Sequence, residues 1–291
     1  LITAFWFAYY WAGVLSVSLC LLTMSIVACA GTLPYVWQTR GWLRAGGRFR
    51  LRYFRQGVWY SFRSYGGAVL NVFGSSGTQI LLFALTPAAL AMYQTALSAT
   101  GVLWAIPRAI GATSLPRLIK EDAAAHHATL CKLLRLTALA TAAAAAALGA
   151  AEPILIPLLF GQAYEAAVMP ALLLLPIALI GGLSDLLGNA LNSTGRTLHH
   201  TVASAAFVLG ALGSMTFTID AWGVNGAAVS SVVGFAMSFA VRFVWYSARV
   251  RRFRAEELLP KWTDVQDMGR MGRRVAIRFV GRRAAAEGAK G

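Results

Sequence analysis

An all-α fold, a polytopic membrane helix bundle of about seven transmembrane helices, is the class this sequence predicts. Three observations predict it. Of the residues, 58% are hydrophobic and only 13% charged, with a mean hydropathy of +0.61, where soluble domains carry about 25% charged residues. Uncharged runs recur that are long enough to cross a bilayer, which takes roughly 20 apolar residues. Basic residues collect in alternate connections between those runs, as they do when one side of the membrane is cytoplasmic.

The spans follow in order. Leu1 to Thr39 carries no charge, and one helix fits at 5–31. A second uncharged stretch, Ser64 to Pro107, has room for two helices. Thr86-Pro87 divides it, because Pro favours the first turn of a new helix, giving spans at 60–85 and 88–116. Leu136 to Ala151 is short and centred on the alanines 142–147; it is a fourth span or an amphipathic surface helix. Ala166 to Ala190 supplies the fifth. Thr197 to Ile219 and Ala221 to Val241 supply the sixth and seventh, the last running on to the interfacial pair Trp245 and Tyr246.

Charge sets the orientation. Arg40, Arg44, Arg48, Arg50, Arg52 and Arg55 follow the first span, and Arg117, Lys120, Lys132 and Arg135 follow the third. Arg196 lies in the turn after the fifth, and the rest of the cluster lies in the tail from Arg249 to Lys290. The other connections, at Thr86-Pro87, 152–165 and 219–223, hold no Lys or Arg, only Glu152, Glu165 and Asp220. The basic side is cytoplasmic, so Leu1 is expected outside and the C-terminus inside. The chain opens without Met and without a positively charged leader region, so upstream sequence is expected.

This divides the chain into a helix at 1–36, a basic cytoplasmic linker at 37–56, a six-helix transmembrane lobe at 57–250 and a basic tail at 251–291. In the tail, Met268, Met271, Val275 and Phe279 recur at helical spacing among arginines. Such a segment either lies on an anionic leaflet, each basic residue adding about 1 kcal/mol, or is a solvated tail. The formal charge of +15 does not mark a nucleic-acid partner, because it sits at the ends of apolar runs.

The basic residues outside the connections are Arg63, Arg108 and Arg242. Arg242, near the inner end of its span, can snorkel to the interface, and Arg63 can do the same from the start of its own. Arg108 lies deeper, where an Arg costs roughly 2.5–3.5 kcal/mol on insertion scales and faces a polar cavity or a partner. Asp185, Asn189 and Asn192 fall at i, i+4 and i+7, one helix face. That face looks into protein or water; Asp185 either pairs with Arg108 or serves as a coupling or gating site, with Asn189 beside it. Asn71, Ser75, Ser76, Thr78 and Gln79 make the second span polar, and Asn71 and Gln79 join Arg63 and Arg108 as candidate substrate-binding residues. Pro107, Pro116, Pro170 and Pro176 are expected to bend spans three and five.

No Gly-rich phosphate loop, HExxH or CxxC occurs, so no enzyme, cofactor or metal is expected. His126-His127 and His199-His200 are expected in solvent beside cytoplasmic connections.

Five stretches carry a family resemblance. Thr86-Pro87-Ala88-Ala89-Leu90-Ala91-Met92-Tyr93-Gln94-Thr95-Ala96 resembles a helix start with a Gly-x-Tyr-x-x-Ala finish. Ile106-Pro107-Arg108-Ala109-Ile110 with Leu115-Pro116-Arg117-Leu118 resembles that helix's two-proline end. Leu159-Phe160-Gly161-Gln162-Ala163-Tyr164 resembles a Phe-Gly-x-x-Tyr outer loop. Leu191-Asn192-Ser193-Thr194-Gly195-Arg196-Thr197 and Trp222-Gly223-Val224-Asn225-Gly226-Ala227-Ala228 resemble a Gly-Arg turn and the start of the last helix. Together, over 57–250, they resemble the bacterial polysaccharide-export flippases, of the superfamily that also holds multidrug antiporters.

The resemblance implies two six-helix lobes that alternate access to a central cavity. This chain would hold the last helix of the first lobe and the whole second lobe. It implies a cargo of polyprenyl-diphosphate-linked oligosaccharide, the bacterial inner membrane as location, and polysaccharide polymerase machinery as a partner besides the lipid bilayer. Arg108 and Arg63 would attract the diphosphate. The acid that many members carry near the end of the seventh helix is replaced by Gly77-Thr78-Gln79. A drug or cation antiporter of the same superfamily, a membrane glycosyltransferase or O-antigen ligase-polymerase, and a remnant of a truncated gene are the alternatives.

Overall fold

The structure, a computed structural model, describes scattered positions between 22 and 40 and the stretches 51–118, 123–193 and 198–259. Over 52–65, save Arg55 and Val58, and over 113–118, the backbone alone is described. Two compact units divide the chain, Leu1–Val58 and Trp59–Gly291. In the first, the described residues are helical. Most of the expected 5–31 span, the linker and the tail beyond 259 lie outside the described residues.

The described chain is almost wholly helical, an all-α membrane bundle. Helix α1 is Leu51–Leu85 and α2 is Pro87–Gly101. Between them the Thr86 side chain caps α2, accepting from the Ala89 N–H at 3.1 Å, and Pro87 occupies the first turn, where its missing N–H goes unnoticed. A 3-10 turn, Val102–Trp104, separates α2 from α3, Ala105–Leu118, so the third span breaks one residue before the Ile106-Pro107 step.

Helix α4 runs Ala123–Phe160. The fourth span is therefore a helix far longer than 136–151. The connection expected at 152–165 is corrected: Pro153 and Pro157 lie inside α4, and the turn begins only at Gly161. Gly161 has φ 91°, a conformation that side chains disfavour. A 3-10 turn, Gln162–Ala167, leads into α5, Val168–Ser193, with Pro176 inside it.

Helix α6, Leu198–Arg249, has 52 residues. Straight, it would run about 78 Å, more than twice a hydrocarbon core of about 30 Å. It is bent at Gly223, where φ is 52° and ψ −123°, and its arms fold together. A Cβ on Gly210 would lie 3.0 Å from the Gly234 Cα, and Gly226 abuts the Thr218 backbone. Thr218 Oγ1 donates to the Gly226 carbonyl at 3.1 Å and meets Ser230 Oγ at 2.7 Å. The pairs 210–234 and 218–226 make an antiparallel hairpin, hence two spans. With α1, α2–α3, α4 and α5, each long and apolar enough to cross a membrane, the described residues supply six.

The glycines of α1 seat it on the first arm of α6. Gly67 faces His200, Gly74 faces Phe207 and Gly77 faces Leu212. Both numbers rise together, so α1 and that arm run parallel. Two helices separated by three intervening spans point opposite ways only if a span has been miscounted.

α5 is the hub, buried on most of its circumference. At one end Ala171, Leu174 and Ile177 pack with Tyr93, Ala96, Ile156, Met215 and Ala227. At the other, Leu186, Leu187, Ala190 and Leu191 pack with Leu130, Leu134 and Tyr246. Phe73, Ile80, Leu158 and Phe217, among others, remain exposed, the outward apolar surface that lipid covers. The short helix α7, Ala255–Leu258, follows.

Candidate substrate pocket

Alongside the second packed end, α3, α5 and α6 line an open cavity of about 240 Å³. α5 turns Asp185, Asn189 and Asn192 into it, the face their spacing predicts. α3 contributes Pro107, Arg108, Gly111 and Ala112, and α6 contributes His200 from one arm and Arg242 from the other. Two glycines lie directly against these groups: a Cβ at Gly111 would sit 3.4 Å from Asn189 Nδ2, and one at Gly188 3.5 Å from Arg242 Nη1, both ordinary contact distances.

Arg242 is 4% exposed. Its Nη1 donates to Ser184 Oγ at 2.9 Å and to Asp185 Oδ1 at 3.1 Å. Its Nη2 donates to His200 Nδ1 at 3.3 Å, and Nε meets no acceptor among the described residues. This corrects two expectations. Arg242 does not snorkel, because the hairpin folds it inward between α5 and the first arm. Asp185 is engaged by Arg242 instead of Arg108, yet its side chain stays 61% open to the pocket.

Arg108 is exposed, its guanidinium carbon 5.6 Å from the centre of the Trp104 ring. Trp104 is wedged against Gly181 and lies 5.8 Å from the Phe235 ring, so it is a fixed platform for the cation. Among the described residues no carboxylate pairs with Arg108. The pocket thus holds two guanidinium groups and one carboxylate, and the carboxylate is already shared with the more buried of the two.

The remaining candidates lie elsewhere. Asn71 is exposed and Gln79 half-buried, both on α1, and neither lines the pocket. Arg63 is on α1, and its side chain lies outside the described residues. The histidines are not in solvent: His126, His127 and His199 are buried, the first two because α4 begins at Ala123, earlier than its apolar run does. His200 lines the pocket.

Sequence reasoning passed over Arg242 and His200 as site residues, since their roles depend on helices distant in sequence. It also placed Glu152 in a loop. Glu152 is fully buried within α4, and neither carboxylate oxygen has a hydrogen-bond partner among the described residues.

No model of a known protein family matches the chain, and no curated protein does. A solved structure described as the outward-facing conformation of a multidrug resistance MATE family transporter of the MOP superfamily is similar, with a TM-score of 0.59 and 17% identity. The likeness covers 72% of this chain and 49% of that one, so the chain spans about half its length. It is a likeness of fold.

Proposed function

We propose that this chain is the C-terminal part of a flippase that carries a polyprenyl-diphosphate-linked oligosaccharide across the bacterial inner membrane, with its C-terminus cytoplasmic. In this reading 57–250 is one lobe of two, and 37–56 joins it to the other. The observation that carries the reading is the charge of the pocket. Arg108 stands over Trp104 with no carboxylate partner among the described residues, while Asp185 is held by Arg242. A cavity so composed attracts an anion, and guanidinium groups match phosphate oxygens in geometry as well as charge.

The order of events follows from these residues. Arg108 takes the diphosphate first, because it is exposed and unneutralised. Asn189 and Asn192 offer amides to the phosphate oxygens or the first sugar. Asp185 acts as the gate: an anion close to Arg242 competes with Asp185 for the same guanidinium, so binding loosens the link between α5 and the hairpin. Closing that link behind the departing cargo resets the pocket.

The drug or cation antiporter of the same superfamily remains the second reading, favoured by the fold likeness alone. It calls for free acids in the cavity, and the described pocket has none. The test is direct binding. Purified chain in detergent micelles is titrated with a fluorescent polyprenyl diphosphate oligosaccharide and, separately, with a cationic dye. Arg108→Ala is expected to weaken the anionic ligand at least about tenfold, the worth of one charge-assisted contact of roughly 1.5–3 kcal/mol, and Arg108→Lys less. Tight dye binding with no response to Arg108→Ala favours the antiporter.

A further inference from the structure

At the basic end of the bundle three metal-ligating side chains converge, outside the pocket. His127 and Cys131 lie one turn apart on α4, and Glu257 comes from α7, 130 residues beyond His127. His127 Nε2 lies 3.1 Å from Glu257 Oε2 and 3.6 Å from Cys131 Sγ. The three donor atoms all lie within 4.8 Å of one another.

We propose that His127, Cys131 and Glu257 form a zinc-type divalent metal site that clips the start of the C-terminal tail to α4. Geometry is the first argument. With Zn–N and Zn–O near 2.0 Å and Zn–S near 2.3 Å, tetrahedral angles put nitrogen and sulfur about 3.5 Å apart, and nitrogen and oxygen about 3.3 Å apart. The observed 3.6 and 3.1 Å need little movement. The donor set is the second: thiolate, imidazole and carboxylate together suit zinc, where a hard ion such as magnesium would take oxygen alone. His127-x-x-x-Cys131 at i, i+4 is the spacing with which one helix face presents two ligands.

The surroundings are the third. Metal-bound histidines fix the free ring nitrogen with a hydrogen bond. His127 Nδ1 lies 3.2 Å from the hydroxyl of Tyr246, itself fully buried. Glu257 Oε2 also accepts from the Arg254 backbone N–H at 3.0 Å, which holds the carboxylate in place. Cys131 thiolate and Glu257 carboxylate balance the two charges of the ion. Arg135 donates to the Glu257 carbonyl, and Arg251 lies 3.9 Å from its other carboxylate oxygen; both steady α7 from outside the ligand set. His127 and Cys131 are buried while Glu257 is part-exposed, so the ion enters from the tail side. Binding displaces the Nε2 to Glu257 hydrogen bond, the ring proton passing from Nε2 to Nδ1, which then donates to the Tyr246 hydroxyl, and releases the thiol proton of Cys131. A solvent molecule completes the fourth position.

The full chain, purified without a polyhistidine tag, is equilibrated with zinc and then dialysed against a weak chelator. One zinc per chain is expected by elemental analysis. With cobalt, visible bands of a tetrahedral ion and a thiolate charge-transfer band in the near ultraviolet are expected. Cys131→Ser removes the charge-transfer band and the retained zinc, while Cys29→Ser, elsewhere and exposed, keeps both. Tyr246→Phe weakens zinc roughly 10–100-fold. Should Cys131→Ser not fold, Glu257→Gln at the exposed edge serves instead, with loss of zinc-dependent protection of 250–258 from protease. Retention of no zinc by the folded wild type, or equal retention by wild type and Cys131→Ser, overturns the proposal.

Discussion

Arg242 shows what one buried guanidinium does to a membrane helix pair. It joins α5 to both arms of α6 through Ser184, Asp185 and His200. Removing it strands an acid and leaves a hole. Because Asp185 is largely open, the loss is expected at the modest end for charged hydrogen bonds, about 1.5–2 kcal/mol for Arg242→Ala. Asp185→Asn, which keeps an acceptor, is expected to lose less than half of that. Denaturant titration in detergent measures both; equal losses would mean that the link is not electrostatic. Glu152 is the opposite case. Its oxygens are buried with no partner among the described residues, an arrangement that costs about 1–3 kcal/mol by mutational measure. Glu152→Leu is therefore expected to raise stability in the same titration, and a fall would show that the carboxyl has a stabilising role. Both residues explain what the sequence could convey. Asp185, Asn189 and Asn192 were legible as a face because a helix fixes their spacing. Their partner was not, since Arg242 lies 57 positions away and nothing local says that α6 doubles back.

At the scale of elements, glycines decide how close the helices come. Cβ atoms at Gly181 and Gly182 would run into Trp104 and Pro107, so these positions set the distance between α5 and the α2–α3 break. Gly182→Val is expected to cost about 1–3 kcal/mol by overpacking. It also displaces Pro107, and with it Arg108, so ligand binding falls along with stability; unchanged binding would separate pocket shape from this contact. The Thr86-Pro87 boundary was readable because capping chemistry is local. The length of α4 was not: Pro153 and Pro157 read as a loop, yet a helix tolerates proline in a membrane when neighbours cover the freed carbonyls. The hairpin of α6 was readable as two spans, because the apolar runs 197–219 and 221–241 flank Asp220 and each is long enough to cross a bilayer.

For the whole molecule, apolar runs specified the spans and the alternation of basic and non-basic connections their expected direction; the parallel run of α1 and the first arm of α6 accords with the span count. A single-cysteine scan tests its direction. Cysteine placed at Gly161 is expected to react with an impermeant maleimide from the outer side, and cysteine at Arg249 only after the membrane is breached. Labelling of both from one side would overturn the topology. The fold likeness extends over about half of a transporter, and the pocket is lined by three helices of the described bundle. The polar character of that face was visible in the sequence; its positive balance emerged only once Asp185 was seen in the grip of Arg242. That balance is the central claim, and flipping measures it most directly. The protein containing this chain is reconstituted in liposomes with a fluorescent polyprenyl diphosphate oligosaccharide, and the accessible fraction is followed over time. Arg108→Ala is expected to slow transport at least about tenfold, with partial recovery in Arg108→Lys; transport undiminished in Arg108→Ala would contradict the account.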